Sequence, residues 1–370
     1  MSTLRIGFDT SPLYGPRTGI GFAVEAMRGV LRQRTDVELV EYLLSSRARP
    51  ATSVRRLPLP AAIAHQCWAR TDHPRVDRWL RDVDLVHGTN YVVPPSSLPR
   101  LVSVYDCWFL RHPNDANPAV RLAGRVLRRA VSSGAVVHAS SRATARALRE
   151  FLPGVEVHTV HLAALPLPAP PPISPIPQLT DRPFIVAIGT LEQRKNLPRL
   201  VAAFGLIATQ EPELQLVIAG SDGDDREAIN SAVDALGPHA NRVMFTGRVV
   251  ETVRSWLLHH ARVLAYPSLD EGFGFPLLDA MQAGVPIVAS SVGSIPEVAG
   301  EAALLSSATD VMALAGNLQT AVASPSVRAH LVASGREQLG QFSWDRFGAE
   351  MAQLYRHVAA GKSHINTEQA

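Results

Sequence analysis

Only two lysines occur in the chain against 34 arginines, and one of them, Lys195, stands in the segment Arg194-Lys195-Asn196. This segment follows an apolar run and precedes a helical pattern that Asn196 could cap. Cations normally avoid a helix N-terminus because the dipole disfavours positive charge there. Two together call for an anion that compensates both, and a lysine fits a point-charge contact to phosphate. A solvated surface pair is the plainer alternative. A second stretch, residues 263–305, reads VLAYPSLDEGFGFPLLDAMQAGVPIVASSVGSIPEVAGEAALL. Its apolar start predicts a strand over 263–266, then a loop with Asp270, Glu271, Gly272, Phe273 and Gly274, then a helix over 275–283 with Pro276 in its first turn. A strand, a glycine loop and a helix N-terminus form an anion site, since unpaired N–H groups point at the ligand. Glu271 adds an acceptor for hydroxyl groups. Asp279, eight residues on, could take a ribose diol or simply complement the helix dipole. Anion plus polyol points to a sugar phosphate or a nucleotide-sugar.

Weaker constellations lie in the first half. The segment GPRTGIG (15–21) follows a predicted strand and opens a helix, so Gly19 and Gly21 could approach a diphosphate or sugar, or merely make a tight turn. HGTNYVVPP (87–95) and VYDCWFLRHP (104–113) also follow strands and would direct His87, Tyr105 and Asp106 at a ligand. A single histidine is as often structural as functional, and Trp108, Phe109 and His112 read as packing. Asp222-Gly-Asp224 has the look of a metal-binding carboxylate pair, but its place between a strand and a helix makes N-capping the better reading, and no metal is expected. There is no Walker-type loop, no CxxC and no GxSxG.

The elements that must position these residues alternate between strand and helix throughout, as in α/β domains with parallel sheets. The first half predicts strands near 4–9, 37–44, 85–87, 101–104, 135–138 and 155–160, with helices over 22–31, 118–131 and 142–151, the last capped by Ser140 or Ser141; residues 45–75 are rich in Arg and Pro and are not placed. Seven prolines between 165 and 177 preclude helix or central strand and mark an extended connector. The same grammar then restarts at 184. A chain of 370 residues is long for one core, so the expected organisation is an N-terminal domain (1–163), a proline linker (164–181), a second domain (182–343), a closing helix (344–360) and a polar tail (361–370).

Net charge is +3, but residues 1–163 hold 22 Arg against 13 acidic residues (+9), and the remainder carries −6. A basic first half suits an anionic partner, such as a phosphorylated acceptor or a membrane surface, though an Arg-rich solvated surface gives the same count. No basic stripe with interleaved aromatics points to nucleic acid. Two cysteines, Cys67 and Cys107, the absence of a signal-like start and the lack of a run of roughly 20 apolar residues fit a cytoplasmic protein.

Taken together, the N-terminal glycine segment, Arg194-Lys195-Asn196, MFTGRV (244–249), EGFGFPLLDAMQAGVPIVAS and the closing helix resemble retaining glycosyltransferase family 4, enzymes of the GT-B fold. The resemblance covers most of the chain and is nearest to mannosyltransferases that use GDP-mannose. It implies an α/β fold of two Rossmann-like domains facing across a cleft, and a nucleoside diphosphate sugar as substrate with no cofactor or metal. It gives Lys195 and Arg194 the donor diphosphate, Glu271 and the backbone of Gly272, Phe273 and Gly274 the donor sugar, and Asp279 the ribose. Gly247, Arg248 and Val249 would flank the base, Gly19 and Gly21 would approach the donor from the other domain, and His87, Tyr105 and Asp106 would lie on the acceptor side. The chain departs from the family twice: Glu-x7-Glu is here Glu271-x7-Asp279, and a His-Asp pair is here Tyr105-Asp106. The expected reaction is retaining hexosyl transfer to a hydroxyl. The acceptor would be lipid-linked or phosphorylated at the inner face of the membrane. A nucleotide-sugar hydrolase or epimerase, or a binding homologue without activity, are the rival readings.

Overall fold

The structure is a computed structural model that describes residues 3–15, 18–46, 48, 52–114 and 116–361. The tail expected after Gly361 and residues 16 and 17 of the first glycine segment lie outside them. Two compact units form, one from residues 1–163 with 342–370, the other from 164–341.

Unit 1 contains β1 (Leu4–Asp9), α1 (Gly19–Arg32), β2 (Val37–Leu44), β3 (Arg55–Leu57), α2 (Ala61–Trp68), β4 (Leu85–Gly88), β5 (Arg100–Val104), α3 (Trp108–Arg111), α4 (Pro118–Ser132), β6 (Val136–Ala139), α5 (Arg142–Phe151) and β7 (Val157–Thr159). The strands pair in parallel in the order β3-β2-β1-β4-β5-β6-β7. β4, β5 and β6 are buried along their whole length, which is why they read as continuous apolar runs rather than alternating ones. The unplaced residues 45–75 turn out to hold β3 and α2. The first helix also begins earlier than expected. Thr18 caps it, its Oγ1 accepting from the Gly21 amide at 3.4 Å, so Gly19 and Gly21 form its first turn instead of a loop. Ser141 is the cap of α5, accepting from the Thr144 amide.

Unit 2 contains β8 (Phe184–Ile188), α6 (Leu197–Ala208), β9 (Gln215–Ala219), α7 (Arg226–Asp234), β10 (Val243–Gly247), α8 (Glu251–His260), β11 (Val263–Tyr266), α9 (Phe275–Ala283), β12 (Ile287–Ser290), α10 (Ile295–Ala299), β13 (Ala303–Ser306), α11 (Val311–Ala323) and α12 (Pro325–Leu339). Its parallel sheet runs β10-β9-β8-β11-β12-β13. Ile185, Leu216 and Val263 from the strands pack with Leu200 and Phe204 of α6 and Leu318 of α11. The proline segment belongs to this unit and is strapped onto it. The Leu165 carbonyl accepts from Gln282 at 2.9 Å, the Pro168 carbonyl accepts from Ser255, and Leu179 is buried.

The last helix, α13 (Trp344–Ala360), belongs to unit 1 and packs on α1. Ser343 caps it, and at Gly348 a Cβ would come within 3.0 Å of Val30, so glycine sets how closely the two helices approach. Tyr355 is fully buried and Arg356 pairs with Asp36.

In open parallel sheets ligands bind at the carboxyl ends of the strands, where the strand order reverses. In unit 2 the reversal falls between β8 and β11, and in unit 1 between β1 and β4.

Candidate active site

Beyond β8 the chain passes Gly189 and enters a short turn, Gln193–Lys195. Gly189 has φ +150°, and a Cβ there would stand 3.2 Å from Cε of Lys195, so the strand end is shaped to let that side chain pass. Asn196 follows in the left-handed region (φ 56°) and does not cap α6 with its side chain, contrary to expectation. Its Nδ2 instead donates to the carbonyls of Pro267 and Ala308, both at 2.8 Å, which ties the turn after β8 to the loop after β11.

That loop brings Glu271 to the same place. Lys195 Nζ lies 2.6 Å from Glu271 Oε1, Arg194 Nη1 donates to Oε2 at 2.8 Å, and Ser268 Oγ donates to Oε1 at 2.8 Å. Lys195 also reaches the Tyr266 hydroxyl at 3.2 Å. Burial alone would raise the Glu271 carboxyl, but the two cations outweigh it and hold it at about 2. Burial depresses Lys195, with Glu271 opposing. The group is therefore an ionised carboxylate clamped by two cations at the switch point of the sheet.

The backbone around it is fixed by residues the sequence reading did not single out. Ser294 donates its amide to the Glu271 carbonyl at 3.0 Å, and its Oγ lies 3.1 and 2.9 Å from the carbonyls of Glu271 and Phe273. Gly293 has φ +55°, and a Cβ there would meet the Glu271 carbonyl oxygen at 2.4 Å and Asp270 Oδ1 at 2.7 Å. The available signal was Gly293-Ser294 just ahead of Pro296, a turn-and-breaker cluster. Phe273 is buried edge-on to Phe275, and Gly274 (φ +100°) leads into α9.

Asp279 sits inside α9, buried, with one oxygen paired to Arg254 of α8. Its Oδ1 is buried without a hydrogen-bond partner. Burial raises its carboxyl to about 6 against the pull of Arg254. Gly247 (φ +65°), Arg248 and Val249 stand at the end of β10, the edge strand, two strands from β8. The capping expectation for Asp222 and Asp224 fails. Asp225 occupies the cap position of α7 without a side-chain bond, Asp222 pairs with Arg226, and Asp224 accepts from the Gln193 amide at 3.0 Å. Among the described residues, a metal-capable group is formed by Glu156, His158 and His357 in unit 1, none of which was a predicted site residue.

In unit 1 two of the residues expected to face a ligand are turned into the protein and bonded there. His87 is fully buried, its Nδ1 2.8 Å from the Tyr355 hydroxyl and its Nε2 2.8 Å from Ser103 Oγ. Ser103 continues to His138 Nδ1 at 2.8 Å, and His138 Nε2 lies 2.9 Å from the Val160 carbonyl. Burial, assisted by His138, drives His87 well below the usual histidine range, so the ring is a neutral core group. Tyr105 is likewise buried and donates to the Thr89 carbonyl at 2.7 Å. Asp106 is half-buried, its Oδ1 accepting from the Trp108 amide at 3.2 Å. Gly19 is exposed, while Gly21 is buried against the Pro12 carbonyl. Asp9, at the end of β1, was not anticipated: burial raises it to about 6 although Ser11 donates to it.

Known proteins agree with this architecture. The sequence description of the family Glycosyl transferases group 1 matches residues 173–338. O-antigen chain mannosyltransferase B of Escherichia coli is 30% identical over 390 residues, which span 95% of this chain and 100% of that protein. Phosphatidyl-myo-inositol mannosyltransferase of Mycobacterium leprae is 26% identical over 347 residues, 89% of this chain and 87% of that one. Sucrose-phosphate synthase from Thermosynechococcus elongatus shares the fold with a TM-score of 0.73 at 20% identity, covering 98% of this chain and 100% of that one. With two Rossmann-like units and a cation-clamped glutamate at the second switch point, the chain belongs to the group 1 glycosyl transferases and is a glycosyltransferase of the GT-B fold.

Proposed function

We propose that this enzyme moves a mannosyl group from GDP-mannose to an acceptor hydroxyl with retention of configuration and without a metal ion. The observation that carries the reading is the convergence of Lys195 and Arg194 on Glu271 at the switch point of unit 2. In the ligand-free protein the carboxylate occupies both cations. A diphosphate entering there would take up Lys195 and Arg194 as its charge develops on departure, which is where fixed positive groups lower a barrier most. Their two charges fill the role that a divalent cation has elsewhere in phosphate chemistry.

Glu271, held at about 2, stays ionised and can only accept, so its role is to bind hydroxyls of the donor sugar and not to give up a proton. The amides at the start of α9 add donors near the same point. Asp279 Oδ1, buried and unpartnered, is the acceptor offered to the ribose. The aspartate is one methylene shorter than the family's glutamate, and pairing with Arg254 fixes its orientation. No carboxylate in this cluster is placed as a covalent nucleophile, and attack from the face of the leaving group fits that arrangement.

The acceptor belongs to unit 1. There Asp106 remains as a half-buried acceptor-side group, with His87 and Tyr105 supporting the sheet behind it. The name of one relative above, a phosphatidyl-myo-inositol mannosyltransferase, supports a lipid-linked or phosphorylated acceptor, for which the inner membrane face is the proposed location. No helix among the described residues is long and apolar enough to cross a membrane.

The decisive experiment is a thermal-shift screen of GDP, UDP, ADP and their sugars, followed by NMR of the anomeric product formed with and without EDTA. Selective stabilisation by GDP-mannose, an α-linked product and indifference to EDTA are expected. Consumption of donor in water alone, with no transfer, would replace the transferase reading by a hydrolase.

A further inference from the structure

The segment Glu156-Val157-His158 leads into β7, the edge strand of the unit 1 sheet. Extended pairing already includes Glu156, whose carbonyl accepts from the Val137 amide at 2.8 Å. Alternation along such a segment puts the carboxylate of Glu156 and the imidazole of His158 on one face. The last turn of α13 brings His357 to the same point. His158 Nε2 stands 3.0 Å and His357 Nε2 2.7 Å from one oxygen, Glu156 Oε1. The two imidazole rings lie 4.9 Å apart, centre to centre, and the three atoms are all within 4.8 Å of one another.

Hydrogen bonding accounts poorly for this convergence. With both rings protonated, two positive charges share one carboxylate oxygen at the surface, where an ion pair contributes little. With both neutral, two N–H groups compete for a single acceptor atom. One divalent cation in place of the two protons satisfies all three groups at once. Zinc bound to imidazole nitrogen and carboxylate oxygen sets neighbouring ligand atoms about 3.3 Å apart in a tetrahedron. The present separations would open by a few tenths of an ångström, and the side chains are free to do so: Glu156 is 52%, His158 39% and His357 58% exposed. Two nitrogens with one oxygen suit zinc and its neighbours in the first transition row, whereas magnesium and calcium call for oxygen ligands. Three protein ligands leave a fourth position to water, which this exposure admits.

We propose that Glu156, His158 and His357 form a zinc site that fastens the last turn of α13 to the edge strand of unit 1. Tyr355 and Arg356 anchor the helix just before that turn, by burial and by the pair with Asp36. The metal adds a bond between two segments about 200 residues apart in the chain, one entering β7 and one ending α13. None of the three ligands belongs to the proposed donor contacts, so the site is structural and does not rest on the transfer reaction given above.

The test is calorimetric titration of the untagged full chain with zinc chloride and, separately, with magnesium chloride, followed by thermal melting and amide hydrogen exchange of the same samples. One equivalent of zinc should bind, and magnesium should not. At free zinc about 100 times the dissociation constant, the melting temperature should rise by roughly 5 °C. Exchange of the last amides of α13 should slow. His158→Gln and His357→Gln change accessible side chains and should keep the fold. Each should weaken zinc binding by at least about 100-fold, the upper end of the loss when even a group that only supports a ligand is removed. Absence of zinc binding, an affinity unchanged in both variants, or several weak equivalents in place of one would each overturn the site. Exchange in α13 that zinc leaves unaltered would overturn the fastening of the helix.

Discussion

At the switch point of unit 2, between β8 and β11, three ionised side chains converge on each other: Lys195 and Arg194 hold Glu271. Beside the switch point of unit 1, between β1 and β4, a neutral relay crosses β4, β5 and β6 behind the strand ends, running from Tyr355 of α13 through His87 and Ser103 to His138. Both clusters are hydrogen-bonded, yet they differ in what a ligand could gain. The charges of unit 2 satisfy one another and can be re-satisfied by a diphosphate, which exchanges one ionic partner for another. The groups of unit 1 are satisfied by the protein itself, so entry of a ligand would leave buried donors and acceptors without partners. The contrast separates a chemical site from a scaffold, and it sets the scale of effects for substitutions in each.

The largest effect is expected at Lys195. Lys195→Ala removes a charge aimed at the leaving diphosphate and should lower kcat roughly 100- to 1000-fold, the usual loss for one preorganised donor. The fold should survive, since Arg194 and Ser268 still hold Glu271. Steady-state kinetics with GDP-mannose read the change, and near-normal turnover would end the comparison in favour of a purely structural clamp.

How much of this was open to sequence reading follows from which interactions are local. β11, α9 and the strands buried on both faces were legible because apolar runs and turn residues write them directly. Lys195 stood out by its rarity among arginines. The distinction between His87 and Lys195 was not legible, because one stands at the end of a strand and the other just beyond one, and only the three-dimensional return of α13, bringing Tyr355 to His87, shows that the histidine is core. Asn196 misled for the same reason: a cap is a local expectation, while its actual partners, Pro267 and Ala308, are distant in sequence. β3, with three residues, and α2, without a side-chain cap, leave no local signature amid Arg and Pro.

Next in size is Gly293→Ala. The new Cβ would collide with the Glu271 backbone in a left-handed position that penalises any side chain, so stability should fall by more than about 1 kcal/mol. The shifted carboxylate should weaken donor binding more than it slows the bound complex, a rise in KM exceeding the drop in kcat. Equal stability and kinetics in the variant would show that the Gly293–Ser294 turn does not position Glu271.

A smaller and pH-dependent effect separates the two carboxylates of unit 2. Glu271, depressed to about 2, remains ionised throughout the working range, and any stability it confers is lost only as pH falls through that value. Asp279 is raised from 3.8 to about 6. Its contribution to folding is therefore fully present below pH 3.8 and is lost as pH rises through about 6. Ribose binding runs the other way, because the carboxylate form accepts both hydroxyls. Calorimetry should show GDP affinity rising with pH up to about 6 and levelling above it, while Asp279→Asn abolishes the dependence. An affinity flat across this range in the wild type would remove Asp279 from the ribose.

The smallest effect on turnover belongs to unit 1. Tyr355→Phe deletes one hydroxyl and leaves His87 Nδ1 buried without its partner at 2.8 Å. Such an orphaned group costs about 1–3 kcal/mol, lowering the melting temperature by roughly 2–4 °C for each kcal/mol in a domain of this size. The relay lies behind the strand ends and touches no proposed donor contact, so kcat should stay within about twofold, a change of under 0.5 kcal/mol in the barrier. A melting shift with unchanged kinetics would confirm that the histidine is scaffold. A loss of turnover comparable to that of Lys195→Ala, in protein still folded at the assay temperature, would mean that the neutral relay carries chemistry after all, and the division between the two switch points would fall.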